Sequence, residues 1–345
     1  MLACLRRVPA WVPTAFASVS VFVGGAALVD YDHREAPMNL GDRPAYFRAD
    51  GATAFRATSL ETSDVVLVSY PKCGTSWIHS VVFALLRMDD DGVMAGSDGE
   101  CGAKGQVYPD GIREKRNTMD PKGCFGGWCF DDLLAQRRPR LFTSHIGPAA
   151  LPSSLSERGR FVIFARDPKD ALVSGYFFVE ELDAKPIAWL REWHTDGMQG
   201  YYTAFLVEKK ARGDGSYGDY YTWHRDTAAL GDALGDRAYF CFFEAFACDF
   251  DGEAQKLSAF LGVPLPPRKL AALRAHAAFG GTGDGTSSTM IPTVATQRLG
   301  VVGDHQRHLT ASHWIALDRL FKSRLGDSAS LAPLAPLIAA APKAV

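Results

Sequence analysis

Asp64-Val-Val-Leu-Val-Ser-Tyr-Pro-Lys-Cys-Gly-Thr-Ser-Trp77 is the stretch that decides the fold. Residues 64–70 form a compact, β-branched run closed by Pro71, the pattern of a buried strand. From Thr75 to Arg87 apolar residues recur at Trp77, Ile78, Val81, Val82, Leu85 and Leu86, the rhythm of a helix. A strand, a short glycine-containing turn and a helix open an α/β fold. Such a turn points backbone N–H groups and the positive end of a helix dipole at one spot, which makes an anion site. Lys72 adds a full charge, and Thr75 and Ser76 add hydroxyl donors. A phosphate-type ligand suits that chemistry; a plain strand–helix turn with an incidental lysine is the competing reading. The nucleoside-triphosphate loop GxxxxGK[ST] is absent, because the lysine here precedes the glycine.

Working outward, Pro139-Arg-Leu-Phe-Thr-Ser144 predicts a short strand running to His145, and Arg160-Phe-Val-Ile-Phe-Ala165 a second clear strand. Asp167 is placed as an N-cap and Pro168 as the first helical residue, opening a helix through Ser174 and Phe178. Residues 189–210 read as mainly helical, Ala238 to Phe243 as a third buried strand, and Asp251 to Leu261 as an amphipathic helix. Residues 88–138 are rich in Asp, Gly and Lys and too long for a simple connection, which suggests a lid or partly mobile loop. Residues 280–288 read as a mobile Gly/Ser/Thr-rich loop, and the Ala/Pro-rich stretch after Ser328 as a surface extension. No repeat or interdomain linker is visible. The expected architecture is one α/β domain over residues 62–325, a central parallel sheet flanked by helices. It is preceded by an arm or targeting segment and an approach segment (1–61) and followed by a tail (326–345).

Composition narrows the function classes. With 47% hydrophobic and 22% charged residues over 345 positions, the chain has the make-up of a soluble globular enzyme. A net charge of −2 gives no footprint for general nucleic-acid binding. The seven cysteines, at 4, 73, 101, 124, 129, 241 and 248, include no CxxC pair, so zinc ribbons and thioredoxin-like redox motifs have no support; mostly reduced thiols in a cytoplasmic protein are expected. Residues 8–29 carry no charge and follow Arg6 and Arg7, but contain Pro9, Pro13 and the Gly24–Gly25 pair. That stretch reads as an N-terminal arm, a targeting peptide that would send the chain to an organelle, or a membrane anchor.

The segment from Tyr70 to Trp77 closely resembles the phosphosulfate loop of cytosolic-type sulfotransferases, usually YPKSGTTW. Arg166-Asp-Pro-Lys-Asp-Ala-Leu-Val-Ser174 resembles that family's R-[ND]-x-K-D-x-x-V-S signature, and Arg298-Leu-Gly-Val-Val-Gly-Asp304 its RKGxxGDW loop. Order and spacing also fit. The resemblance implies transfer of the sulfuryl group of 3'-phosphoadenosine 5'-phosphosulfate to a hydroxyl or amine of a small-molecule acceptor, with no metal. Under it, Lys72 would sit on the oxygen between the 5'-phosphate and the sulfate, where charge develops as that bond breaks. Cys73, Gly74, Thr75 and Ser76 belong to the loop around the 5'-phosphate, and Trp77 offers a face to adenine or simply packs the helix. Arg166 and Ser174 would bind the 3'-phosphate, the arginine as a bidentate fork. His145 follows a strand as the histidine does in the family's KTH segment, and would take the acceptor's proton.

Departures from the family pattern are as informative as matches. The lysine two places before the histidine is Thr143 here. The FYE tyrosine is Phe243, followed by Glu244, which keeps a ring on the adenine side. HTSF appears as His276-Ala-Ala-Phe279, keeping the aromatic. Leu299 stands where RKG has lysine, leaving Arg298 and the backbone around Leu299 and Gly300 to hold the 3'-phosphate. His305 replaces the tryptophan of GDW. The KxxxTVxxxE dimer pattern reads Gln306, Thr310, Ala311 and Ile315, so dimerisation by that contact is not expected. Phe125, Trp128 and Phe130 line an acceptor pocket or pack the long loop down. Two other readings stay open: a nucleotide or kinase-like phosphotransferase, and a non-catalytic binder of adenosine 3',5'-bisphosphate.

Overall fold

The computed structural model describes residues 49–94, 101, 129–183, 219–278 and 300–339. The expectations for residues 1–48, the loop beyond Met94 that holds Phe125 and Trp128, the helix at 189–210 and the loop at 280–288 lie outside the described residues. Elements are numbered here as they occur among those described.

Four strands, β1 (Val65–Ser69), β2 (Leu141–Ser144), β3 (Arg160–Ala165) and β4 (Ala238–Phe242), form one parallel sheet in the order β2-β1-β3-β4. In register, Leu67 of β1 faces Thr143 on one side and Val162 on the other. The alternation of side chains splits the core in two. Val66, Val68, Phe142, Phe161 and Ile163 face one buried cluster, while Val65, Leu67, Leu141, Val162 and Phe164 face the other. Helices must therefore cover both faces, as an all-parallel sheet requires. On the first face lie α4 (Pro168–Asp183), α5 (Tyr220–Leu234) and α9 (Ala311–Leu325); on the second lie α2 (Thr75–Arg87), α7 (Phe250–Leu261) and α8 (Pro267–Ala277). The smaller helices are α1 (Ala49–Arg56), α3 (Phe130–Leu134), α6 (Phe243–Cys248) and α10 (Leu334–Ala339). Among the described residues no helix is long and apolar enough to cross a membrane.

The central parallel sheet flanked by helices expected from the sequence is what the chain forms, with several local differences. The third expected strand stops at Phe242, because Phe243 already opens α6. Helix α7 starts one residue earlier than expected, with Asp249 as its cap: the Asp249 carboxylate accepts a hydrogen bond from Gly252 N at 3.0 Å. The stretch after Ser328 is not a surface extension throughout, since Leu331 and Leu334 are buried in the first core cluster. Phe130 is likewise buried there, edge-on to Phe55 at 6.4 Å, which makes it a packing residue. Cys73, Cys101, Cys129 and Cys241 are free and buried, whereas Cys248 is disulfide-bonded.

Topology places the site. From β1 the chain crosses to β2 on one side and then to β3 on the other, so the connections diverge at the carboxyl end of β1. Ligands of open α/β sheets bind at such a switch point. The strand ends that meet there are Ser69, Ser144 and Ala165, followed by the turn at 70–74, His145 and Arg166.

Gly231 shows how closely α5 lies on this sheet. A Cβ at that position would stand 2.6 Å from Phe240 Cζ and 2.8 Å from Ile163 Cδ1. Gly→Ala inside a helix ordinarily gains about 1 kcal/mol of helix propensity. Overpacking a tight interface costs roughly 1–3 kcal/mol. The clash involves a ring held between helix and sheet, so Gly231→Ala should be net destabilising. Urea titration should give a lower midpoint with an unchanged slope; a raised midpoint would contradict the packing described.

Candidate active site

The turn from β1 to α2 is built from two left-handed residues. Lys72 has φ 69 and Gly74 has φ 99. A Cβ on Gly74 would come within 3.2 Å of both Phe164 Cε1 and Phe243 Cδ2, a crowded approach that adds to the strain any other residue would meet at φ 99. Gly74 is also the N-cap of α2 and offers no side chain to cap it. The first amides of a helix have no partner within the helix. Thr75 does not supply one through its hydroxyl, which is hydrogen-bonded to Ser69 Oγ beneath the turn. The opening of α2 is thus a set of oriented N–H donors with a lysine in front of it, and Ser76 stands half-buried in its first turn. Cys73 points the other way. Its thiol is fully buried, and burial pushes it far above the usual range, so it stays protonated and packs.

Trp77 packs one turn in. Its ring lies 5.4–6.2 Å from Phe164, Phe243, Phe246 and Phe250, and Nε1–H donates to Ala277 O at 2.8 Å. Phe243, almost wholly buried, carries the Arg166 guanidinium over its ring at 4.4 Å. These aromatics make an apolar wall along one flank of the turn.

Arg166 is the junction. Its Nη1 donates to Lys72 O at 3.3 Å and its Nη2 to Val301 O at 3.1 Å. One guanidinium therefore ties together the phosphosulfate-like turn, the end of β3 and the loop at 300–303. The sequence reading makes Arg166 an open fork for a phosphate; in the structure both terminal nitrogens already brace backbone. Its Nε is buried with no partner. From below, the Tyr220 hydroxyl donates to Arg166 O. Asp170, one helical turn on, lies 3.8 Å from Arg166 Nη2 and accepts from Gly303 N (2.8 Å), His305 N (3.0 Å) and His305 Nδ1 (2.7 Å). Burial alone would raise the Asp170 titration, but the bonds from His305 and the charge of Arg166 outweigh it and keep the group ionised. Gly300, with φ 62, begins the described part of this loop. Arg298, Leu299 and Phe279 lie outside the described residues. Ser174 is half-buried on α4, between Asp170 and Phe178 at four-residue intervals, a spacing that lines up one helix face.

His145 stands across the turn from this junction, just past the end of β2. Its Nδ1 lies 2.7 Å from Ser69 O. A carbonyl can only accept, so Nδ1 carries the hydrogen and the lone pair belongs to Nε2. Burial pushes the imidazole down to about 4; the Ser69 carbonyl opposes this and the Lys72 charge adds to it. The ring is therefore neutral at physiological pH, with the tautomer fixed. Trp223 Nε1–H donates to His145 O at 2.8 Å and holds the backbone in place. Thr143, where the family pattern has lysine, is buried and its hydroxyl lies 2.8 Å from His79 Nδ1.

Sequence reasoning missed Asp170, Tyr220 and His79. Asp170 was legible as part of the K-D pair in the second motif, but its three bonds to the 303–305 loop are long-range. Tyr220 and His79 have no signal of their own in a single sequence. Among the described residues, no group of three or more His, Cys, Asp or Glu side chains is placed to hold a metal ion.

With this geometry in hand, the comparisons with known proteins have a clear meaning. The family model described as "Sulfotransferase domain" matches residues 62–329. The chain belongs to that family, and the enzyme class implied by the three motifs is the one it has. A 3-alpha-hydroxysteroid sulfotransferase of Cavia porcellus is 25% identical over 277 residues, 77% of this chain and 85% of that protein. In fold, the chain is similar to mouse sulfotransferase SULT7A1 complexed with PAP, with a TM-score of 0.63 and 19% identity over 85% of this chain and 93% of that one. It is also similar to retinol dehydratase in complex with androsterone and inactive cofactor PAP, with a TM-score of 0.56 and 18% identity over 81% and 85% of the two chains.

Behind Arg166 lies a buried acid pair with an unusual electrostatic cost. Glu244 Oε1 accepts from Asp167 N at 2.8 Å, and Glu244 Oε2 is buried without a partner. Burial raises Glu244 from its ordinary 4.5 to about 7 and raises Asp167 in the same direction. A carboxyl whose titration is raised by folding binds its proton more tightly in the folded chain. Its contribution to stability is present below 4.5 and is lost as pH climbs to about 7. Glu244→Gln keeps the oxygen that accepts from Asp167 and removes the charge. The variant should be more stable than its parent at pH 8, with the difference shrinking toward pH 4.5. Denaturation midpoints across that range would show it, and a difference independent of pH would rule out a charged Glu244 as the cause.

Proposed function

We propose that the chain transfers the sulfuryl group of 3'-phosphoadenosine 5'-phosphosulfate to the hydroxyl of a small-molecule acceptor, with His145 as general base and Lys72 as the cation that stabilises the leaving group. The observation that carries this reading is the Arg166 guanidinium, which joins Lys72 O to Val301 O and so gathers the three motif segments at one strand end. The residues present fit such a donor: an uncapped helix N-terminus behind a crowded left-handed glycine, a lysine before it, and a buried Arg166 Nε without a partner. The PAP complexes named for the structural relatives point the same way. When bound, the donor supplies the sulfuryl group.

The chain's own groups do the rest. Amides at the start of α2 and the Lys72 ammonium hold negative charge at the turn. Arg166, Asp170 and His305 keep the 300–305 loop against it. His145 holds its hydrogen on Nδ1 against Ser69 O, and its Nε2 takes the proton from the acceptor hydroxyl. A base already neutral does not have to lose a proton first, so the acid limb of kcat/KM for the free enzyme should fall near pH 4 rather than near 6.5.

Two substitutions separate chemistry from donor binding. His145→Asn should slow transfer by roughly 10²-fold or more, the scale of a general base, with binding of adenosine 3',5'-bisphosphate little changed. Arg166→Ala should weaken that binding by roughly 2–4 kcal/mol, as when a buried charged hydrogen-bonding group is truncated. Calorimetry and single-turnover transfer on both variants check the pair of outcomes. Parent-rate transfer by the His145 variant would assign the base elsewhere.

The dimer pattern supports a monomer or a dimer through another surface. Thr310 is the N-cap of α9, accepting from His313 N, and Ile315 stands 52% exposed where the pattern has glutamate. Sedimentation should show no dimer that substitutions at Thr310 and Ala311 dissolve.

A further inference from the structure

The Lys72 side chain occupies a defined place. Its Nζ lies 3.9 Å from the centroid of the Phe178 ring, well inside the distance at which a cation is held by the negative face of an aromatic ring. Phe178 is half-buried on α4, one turn beyond Ser174, and packs against the first core cluster, so its ring is fixed by neighbours. The Lys72 backbone is fixed as well, by its left-handed conformation and by the bond from Arg166 Nη1 to its carbonyl. Only the side chain is left to choose where the ammonium sits. That place is also within electrostatic reach of His145, whose titration the Lys72 charge depresses.

We propose that Phe178 is a positioning residue for Lys72, its ring face holding the ammonium at the mouth of the turn until the anionic group of the donor takes it over. The proposal rests on the donor reading given above. A ring suits this task better than a carboxylate would. A carboxylate beside Lys72 would bind it by a charge-assisted hydrogen bond and repel the donor's phosphates. A ring holds the cation weakly, adds no net charge, and leaves the ammonium's full charge to meet an incoming anion. The ring contact must be broken when the ammonium turns to the donor, so it opposes donor binding by a small and measurable amount.

The test uses the full chain labelled with ε-13C lysine, the Lys72 signal being assigned by its loss in Lys72→Arg. In the parent that signal should lie upfield of the other lysines through the ring current of Phe178, and adenosine 3',5'-bisphosphate should move it downfield. Phe178→Leu should abolish the upfield shift, whereas Phe178→Tyr, which keeps the ring face, should preserve it. By calorimetry, Phe178→Leu should bind adenosine 3',5'-bisphosphate about two- to fivefold more tightly than the parent, the scale of a half-exposed cation–ring contact. In a Lys72→Met background the same substitution should change affinity by less than that. A parent signal without an upfield shift, or equal tightening in both backgrounds, would overturn the proposal. A parent that keeps the shift but binds no nucleotide would overturn the donor reading and leave the ring contact standing.

Discussion

The constraint on which the site depends is the sharpness of the turn between β1 and α2. The chain leaves a fully buried inner strand of the sheet at Ser69 and must begin a helix at Thr75 that lies back on the same sheet. It does so by placing two residues in the left-handed region, one of them a lysine. A non-glycine residue held there is strained, and such strain persists only where the surroundings over-determine it. At Lys72 the surroundings are visible: Arg166 holds the carbonyl, and Cys73 beside it is sealed in the core. The same sharpness leaves α2 without a side-chain cap. The feature that strains the turn therefore also leaves its amides available to an anion.

Electrostatics around Arg166 follow from that constraint. Bringing three chain segments to one strand end buries a guanidinium that must be matched. Asp170 matches it and is ionised. Asp167 and Glu244 are pushed toward the protonated form by burial. Asp167 has the Lys169 ammonium 3.7 Å away, whereas Glu244 Oε2 is buried without a partner, so ionised Glu244 is the costlier charge in a low-dielectric interior. His145, across the site, is held neutral by burial and by Lys72. The neutral imidazole and its fixed tautomer arise from placement rather than from any unusual residue.

How much of this was legible in the sequence depended on whether the determinant was local. The run Val65–Ser69, the helix Thr75–Arg87 and the strand Arg160–Ala165 carry their own period and punctuation, and each appears with the expected bounds or within a residue of them. The three motif segments were also readable, since each is a contiguous stretch. What escaped was set by contacts between distant residues. Leu331 and Leu334 sit in a stretch rich in Ala and Pro, and only the groove they fill makes them core. Helices α5, α8 and α9 carry mixed faces whose burial depends on partners elsewhere in the chain. Arg166 was identified by its motif, but its bracing of Lys72 and Val301 spans 94 and 135 residues of sequence, which no local pattern encodes.

The departures from the family pattern fit the same physics. The family's lysine two places before the histidine is replaced by Thr143, whose hydroxyl meets the His79 imidazole on α2. A tryptophan in the loop at 303–305 is replaced by His305. That ring keeps an edge-on aromatic contact with Trp314 at 5.6 Å and adds a hydrogen bond to Asp170. In each case a large or charged side chain gives way to a smaller polar one whose hydrogen bond is made inside the protein. A buried polar group is tolerated when its partner is in place and is costly when it is not. Thr143 on β2 is thus paired with His79 on α2, and His305 in the loop with Asp170 on α4. Replacing Thr143 by lysine alone would place an ammonium against His79 in a buried space, so Thr143 and His79 are matched to each other.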